Sequence, residues 1–128
     1  MIQQQTVLKA SDNSGAKSVK CIKVLGSFKK KTAKLGDVII VSVQELRNKS
    51  KKTSKVKKGH VCKALVIKTK AKLKSKDGSS LSFNNNSVSL MNSQSKPLAT
   101  RIIGPVPKKF KKGKFAKFAN ISFGTVFS

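Results

Sequence analysis

"VIIVSVQEL", residues 38–46, is the stretch on which the reading of the fold turns. Five of its first six residues, Val38, Ile39, Ile40, Val41 and Val43, are β-branched, and β-branched side chains fit a pleated strand better than a helix. The first half is apolar on both faces, where a strand with one wet face would alternate. The run therefore predicts a strand covered on both sides, or one in a small closed barrel.

Upstream, "FKKKTAKLGD" (28–37) reads as a basic connector at a hairpin tip. "KSVKCIKVLG" before it puts Val19 and Cys21 on one face and Lys20 on the other. The phase then slips, because Ile22 and Val24 share the other face, which predicts a bulge or a strong bend. Gly26 ends that run. "SDNSG" (11–15) supplies Asp, Asn and Gly for a tight turn, and "QQTVLKA" is the first strand.

Downstream, "RNKSKKTSKVKKG" (47–59) holds seven basic residues in thirteen with Val56 as its apolar anchor, and reads as a loop. "HVCKALVIKTK" (60–70) is the next strand. Asp77-Gly78 is a strong hairpin signal. "LSFNNNSVSLMN" gives two strand pieces around Asn84–Asn86, "SQSKPLA" a linker, and "TRII" one more short strand ended by Gly104-Pro105. From residue 108 to 118 six lysines and three phenylalanines follow. A short helix, or two helical turns broken at Gly113, would put Phe110, Phe115 and Phe118 on one side and lysines on the other. "ISFGTVF" returns as strand. Short strands, tight turns and one late helical segment describe a mostly β protein. We read it as one domain, 1–128, with a β-barrel and its basic loops over 1–106 and a helical appendage over 107–128.

Charge bounds the function. The 128 residues carry 29 basic side chains against Asp12, Asp37, Glu45 and Asp77, a net charge of +25. Self-repulsion on that scale implies a polyanionic partner. No apolar stretch approaches a membrane span, and no long amphipathic helix offers itself to a membrane surface, so no membrane partner is expected. Nucleic acid is the leading candidate. Only Arg47 and Arg101 are arginines, and a surface of lysines suits phosphate neutralisation better than bidentate base reading. AT-rich coding accounts for part of the Lys, Asn and Phe bias.

Catalysis has no foothold. The three aspartates sit in turn sequences, Glu45 ends a strand, and His60 has no partner at a useful spacing. Cys21 and Cys62 lie in apolar contexts without metal-ligand spacing and read as buried thiols. No enzyme, cofactor or metal is expected. Phe28 and Phe83 could stack on a base, but core packing explains them more simply. The lysines on loops and strand ends are the candidate phosphate ligands: Lys17, Lys20, Lys23, Lys29, Lys30, Lys31, Lys49, Lys51, Lys52, Lys55, Lys57, Lys58, Lys68, Lys70, Lys72 and Lys74. A free-standing basic nucleic-acid-binding barrel, either an RNA chaperone or an architectural protein, is one identity consistent with this.

Four blocks point to another. "MIQQQTVLKASDNSGAKSVKCIKVLG" (1–26), "GDVIIVSVQE" (36–45), "KVKKGHVCKALVIKTK" (55–70) and "DGSSLSFNNNSVSLMN…ATRIIGPV" (77–106) resemble, in order, the bacterial-type large-subunit ribosomal protein fourteen family. The DNSGA and TRI-x-GPV stretches are its most specific marks. Against its pattern one residue is missing between Asn86 and Val88, the loop at 47–55 is longer, and Gly59-His60 stands where Gly-Asp is common. The resemblance implies a five-stranded β-barrel and a structural role in the large subunit. It also implies binding to large-subunit rRNA and a bridge to small-subunit rRNA, with ribosomal proteins three and nineteen as neighbours. A ribosome-silencing factor would dock on the C-terminal region, at Thr100, Arg101, Lys114 and Lys117. No homo-oligomer is expected. Lysines or neutral residues in place of the family's acidic positions near the C-terminus, the AT-rich bias and a start without a presequence suggest an organellar member, in the mitochondrial ribosome of the matrix, with plastid or bacterial cytoplasm as alternatives.

Overall fold

A computed structural model describes all of the chain except residues 1, 27, 28, 48–54, 75, 112, 114, 123, 127 and 128. Its strands are β1 (Val7–Ala10), β2 (Ala16–Val24), β3 (Val38–Leu46), β4 (Val61–Lys68), β5 (Leu73–Lys74), β6 (Ser80–Leu81), β7 (Ser87–Met91), β8 (Val106–Pro107) and β9 (Thr125–Val126). A 3-10 turn at Lys108–Lys111 and one short helix, α1 (Ala116–Asn120), lie between the last two. Strands β1-β2-β3-β4-β7 close into a barrel, as the resemblance implies. Neighbours are antiparallel except at the closure, where β1 runs parallel to β7. β5 and β6 form a separate hairpin around Asp77-Gly78, and β8 and β9 a parallel pair.

Alternation along β3 sends Ile39, Val41 and Val43 into the barrel, each at most 1% exposed. They meet Leu8, Val19, Cys21, Ala64, Val66, Val88 and Leu90 there. The outer face of β3 is only half-covered at Val38 and Ile40. Double coverage belongs instead to β4, where Ala64 and Val66 point inward while Leu65 and Ile67 are buried on the outside. The cover is the C-terminal segment: Ile102, Val106, Phe110, Phe118 and Ala119 join Leu65, Ile67 and Met91 in a second apolar cluster. Burying Phe118 completely contributes about 2–3 kcal/mol, enough to hold a five-residue helix that could not persist alone. Phe115 completes the contact edge-on, its ring centroid 6.0 Å from that of Phe118.

The slip in β2 is a bulge. Cys21 pairs with Val41 and Lys23 with Ile40, so Ile22 is the extra residue. It stands 43% exposed, and the shift returns Val24 to the core rather than leaving it beside Ile22. "TRII" is not a strand. The Ile102 amide donates to Ile121 O and the Ile103 amide to Ser11 O, so consecutive donors serve different partners and no ladder builds. Ile102 makes isolated bridges to Asp12 and Ser122, and pairing resumes only at β8, beyond Gly104-Pro105.

Candidate nucleic-acid interface

The four acids determine how much cationic charge is left outward. Asp12 is fully buried, and its carboxylate accepts from Ser14 Oγ at 2.7 Å, Leu90 N at 2.8 Å, and Ser14 N and Ser89 Oγ at 3.4 Å. It ties the 11–15 turn to β7. Asp77 accepts from Ser79 N and Oγ, shaping its own turn. Asp37 accepts from Lys34 N and pairs with Lys30 Nζ at 2.9 Å. Glu45 lies 3.9 Å from Lys17 with both side chains mostly exposed, a pair worth little in water. Lys17 and Lys30 thus each face a carboxylate.

The sixteen candidate lysines divide by what they touch. Lys23, Lys29, Lys31, Lys57, Lys58, Lys70, Lys72 and Lys74 are exposed, and Lys20 is half-buried on the outside of β2. Three reach back onto the protein: Lys30 to Asp37, Lys55 Nζ to Leu98 O at 3.2 Å, and Lys68 Nζ to Ile103 O at 3.1 Å. Burial holds the Lys68 ammonium below its usual pKa. Its Nζ also lies where a Cβ on Gly104 would come within 2.6 Å, and Gly104 has φ +87°. Lys68 thus clamps the 103–104 backbone against β4. Lys49, Lys51, Lys52 and Lys114 lie outside the described residues. Lys9 and Lys63, also exposed, were absent from the sequence-derived set. The signal was there for Lys9, which alternates with the inward Leu8 and Ala10.

The turn at 11–15 gathers the candidate surfaces. Asn13 Oδ1 accepts from the Thr100 and Arg101 amides at 3.0 Å, and Asn13 Nδ2 donates to Thr100 Oγ1 at 2.8 Å. The carbonyls of Gly15 and Ser14 accept from Arg47 N and Lys55 N at 2.9 Å, pinning both ends of the basic loop. Val56, 1% exposed, anchors that loop in the core. Thr100 and Arg101 are exposed. Lys117, also exposed, lies on α1, whose C-terminal Ile121 carbonyl accepts from Ile102 N at 3.0 Å. Thr100, Arg101 and the last turn of α1 are therefore adjacent. Asn13 was the residue that sequence reasoning missed, having been assigned to turn formation alone.

Cys21 and Cys62 are free thiols pushed up in pKa by burial, Cys62 to about 11 with help from the Asp12 charge. No group of three metal-ligating side chains occurs among the described residues, and no helix among them is long and apolar enough to cross a membrane. A closed barrel, exposed lysines and acids that are mostly buried or tied into turns give the described residues a cationic surface as their main chemical feature. Over residues 1–126 the chain matches the family model of ribosomal protein L14p/L23e, and it belongs to that family. It is a structural constituent of the large ribosomal subunit, in a family of structural proteins rather than enzymes.

Proposed function

We propose that the protein binds large-subunit rRNA through its loop lysines and contributes, through Thr100, Arg101, Lys117 and Lys114, to a bridge with small-subunit rRNA. One observation carries this reading: the described acids are buried, tied into turns or matched to single lysines, so the exposed lysines have phosphate as their natural counter-charge. The bridge patch is supported by the Asn13 latch, which fixes the 100–101 backbone before a partner arrives. Ribosomal proteins three and nineteen are the proposed neighbours, and a silencing factor would compete for the same patch. The mitochondrial ribosome is the proposed setting, on the strength of the Lys, Asn and Phe bias.

Sedimentation of tagged protein tests the core of this. After a high-salt wash and subunit splitting at low magnesium, the protein should remain with the large subunit. Release into light fractions while other ribosomal proteins stay bound would overturn integral rRNA binding. The double variant Lys114→Glu, Lys117→Glu should still incorporate but join small subunits poorly. Failed incorporation would make that stretch an rRNA anchor instead.

A further inference from the structure

A groove of about 820 Å³ opens between the N-terminal turn and the end of β2, within the range of clefts that hold a small ligand. Its polar wall is unlike the rest of the cationic surface: Gln3, Gln4 and Gln5 face Lys23, Lys30 and Lys31. The three glutamines are exposed, and no described group engages their carboxamides. The turn presenting them is held by Thr6 N to Gln3 O at 3.2 Å and Gln3 N to Thr6 Oγ1 at 3.1 Å.

Two backbone features show that the groove is shaped. Gln5 sits at φ +68°, a left-handed conformation costly for a side-chain-bearing residue and kept only where the surroundings fix it. Here Gln5 N donates to Cys21 O at 2.6 Å and Cys21 N to Thr6 O at 2.9 Å, beside the β2 bulge. Across the groove Gly26, at φ +139°, leaves its Cα bare, and the Lys30 stem lies where a Cβ would meet it at 2.8 Å. That stem carries the ammonium to Asp37, which leaves Lys23 and Lys31 as the cations available to a ligand.

Lysine supplies charge but no acceptor, so it recognises phosphate and is blind to the base. A carboxamide supplies a donor and an acceptor side by side, the pattern that matches a base edge, adenine N6 and N7 in particular. From this juxtaposition we infer that the groove takes one unpaired nucleotide of RNA, its phosphate held by Lys23 and Lys31 and its base, preferentially adenine, read by the glutamine carboxamides. The inference rests on the proposed rRNA binding and adds a point of sequence selectivity to a surface otherwise made for backbone contact.

Fluorescence anisotropy of the full-length protein with labelled single-stranded adenine, cytosine and uracil homopolymers of equal length tests it. The adenine strand should bind at least about fivefold tighter than the uracil strand. Gln3→Ala and Gln5→Gly should bring that ratio toward one without changing the salt slope. Gln5→Gly removes the carboxamide while relaxing the left-handed backbone, so an unchanged or raised Tm separates lost reading from lost folding. Lys31→Gln should lower the slope of log K against log salt by about 0.7 and leave the ratio alone. Equal binding of all strands by the unaltered protein, or a ratio unmoved by the glutamine changes, overturns the groove alone. Displacement of every strand by polyglutamate, with the glutamine variants behaving as the parent, makes it a base-blind anion site and also overturns it. Binding to no RNA at all would remove the rRNA-binding reading itself.

Discussion

Asp12 carries more of the architecture than its place in a turn suggests. A buried carboxylate needs its lone pairs filled, and here two amides and two hydroxyls fill them, one of the amides from the neighbouring strand β7 at Leu90. Asp12→Asn would turn one acceptor into a donor facing groups that also donate. We expect a loss of about 2 kcal/mol in urea unfolding, the usual cost of losing a hydrogen bond to a buried charge. A change within about 0.5 kcal/mol would show that the turn, not the carboxylate, holds β7. The same charge acts on Cys62, whose thiol is raised from 9.0 to about 11 by burial first and Asp12 second. A folded pKa above the unfolded one means that the native state binds more protons between these values. Stability is therefore complete below about pH 9 and lost as pH rises towards 11. Against Cys62→Ala, in which every lysine titration is shared, the unaltered protein should lose about 2 kcal/mol more between about pH 8 and pH 10.5. Parallel pH profiles for the two proteins would refute the assignment.

Elements were legible where the side chains alone decide them. The bulge announced itself at Ile22 as a phase error, and Phe110 and Phe118 declared the apolar side of the C-terminal segment. Legibility failed where a strand's second face depends on something distant in sequence. β3 and β4 are both apolar on two faces, and only the docking of residues 102–119 selects β4 as the doubly covered strand. "TRII" looked like a strand because three of its four residues are β-branched, while the Ile102 and Ile103 amides are claimed by Ile121 and Ser11. The Lys68 clamp was invisible for the same reason, since a lysine at a strand end reads as a solvated cation. Its energetics can be isolated by a double-mutant cycle. Gly104→Ala alone should cost about 2 kcal/mol, from left-handed strain plus eviction of the Lys68 ammonium from Ile103 O. In a Lys68→Ala background only the strain remains, about 1 kcal/mol. Equal costs in both backgrounds, measured by urea unfolding, would mean that lysine and glycine are independent and the clamp contributes nothing.

At the scale of the whole molecule, charge makes folding and binding respond to salt in opposite directions. A net charge of +25 on 128 residues, with few acids available at the surface, means that the folded chain is compressed against its own repulsion. Raising ionic strength from about 0.01 to 1 M shortens the screening length roughly tenfold and relieves that repulsion. The free protein should therefore melt higher in salt, by several degrees for each recovered ~1 kcal/mol. Binding to rRNA fragments should weaken over the same range, because each neutralised phosphate releases a counterion; six to ten contacts give a log–log slope of roughly −5 to −9. Replacing Lys49, Lys51 and Lys52 by serine should make that slope shallower by close to three units if all three meet duplex phosphates. The same change should raise the Tm of the free protein at low salt, because it removes three like charges that are close together in the sequence. A sign agreement between the two salt responses would break the argument. A Tm that fell with salt, beside binding that also fell, would mean that the lysines are balanced within the folded chain and that its stability does not depend on a polyanion.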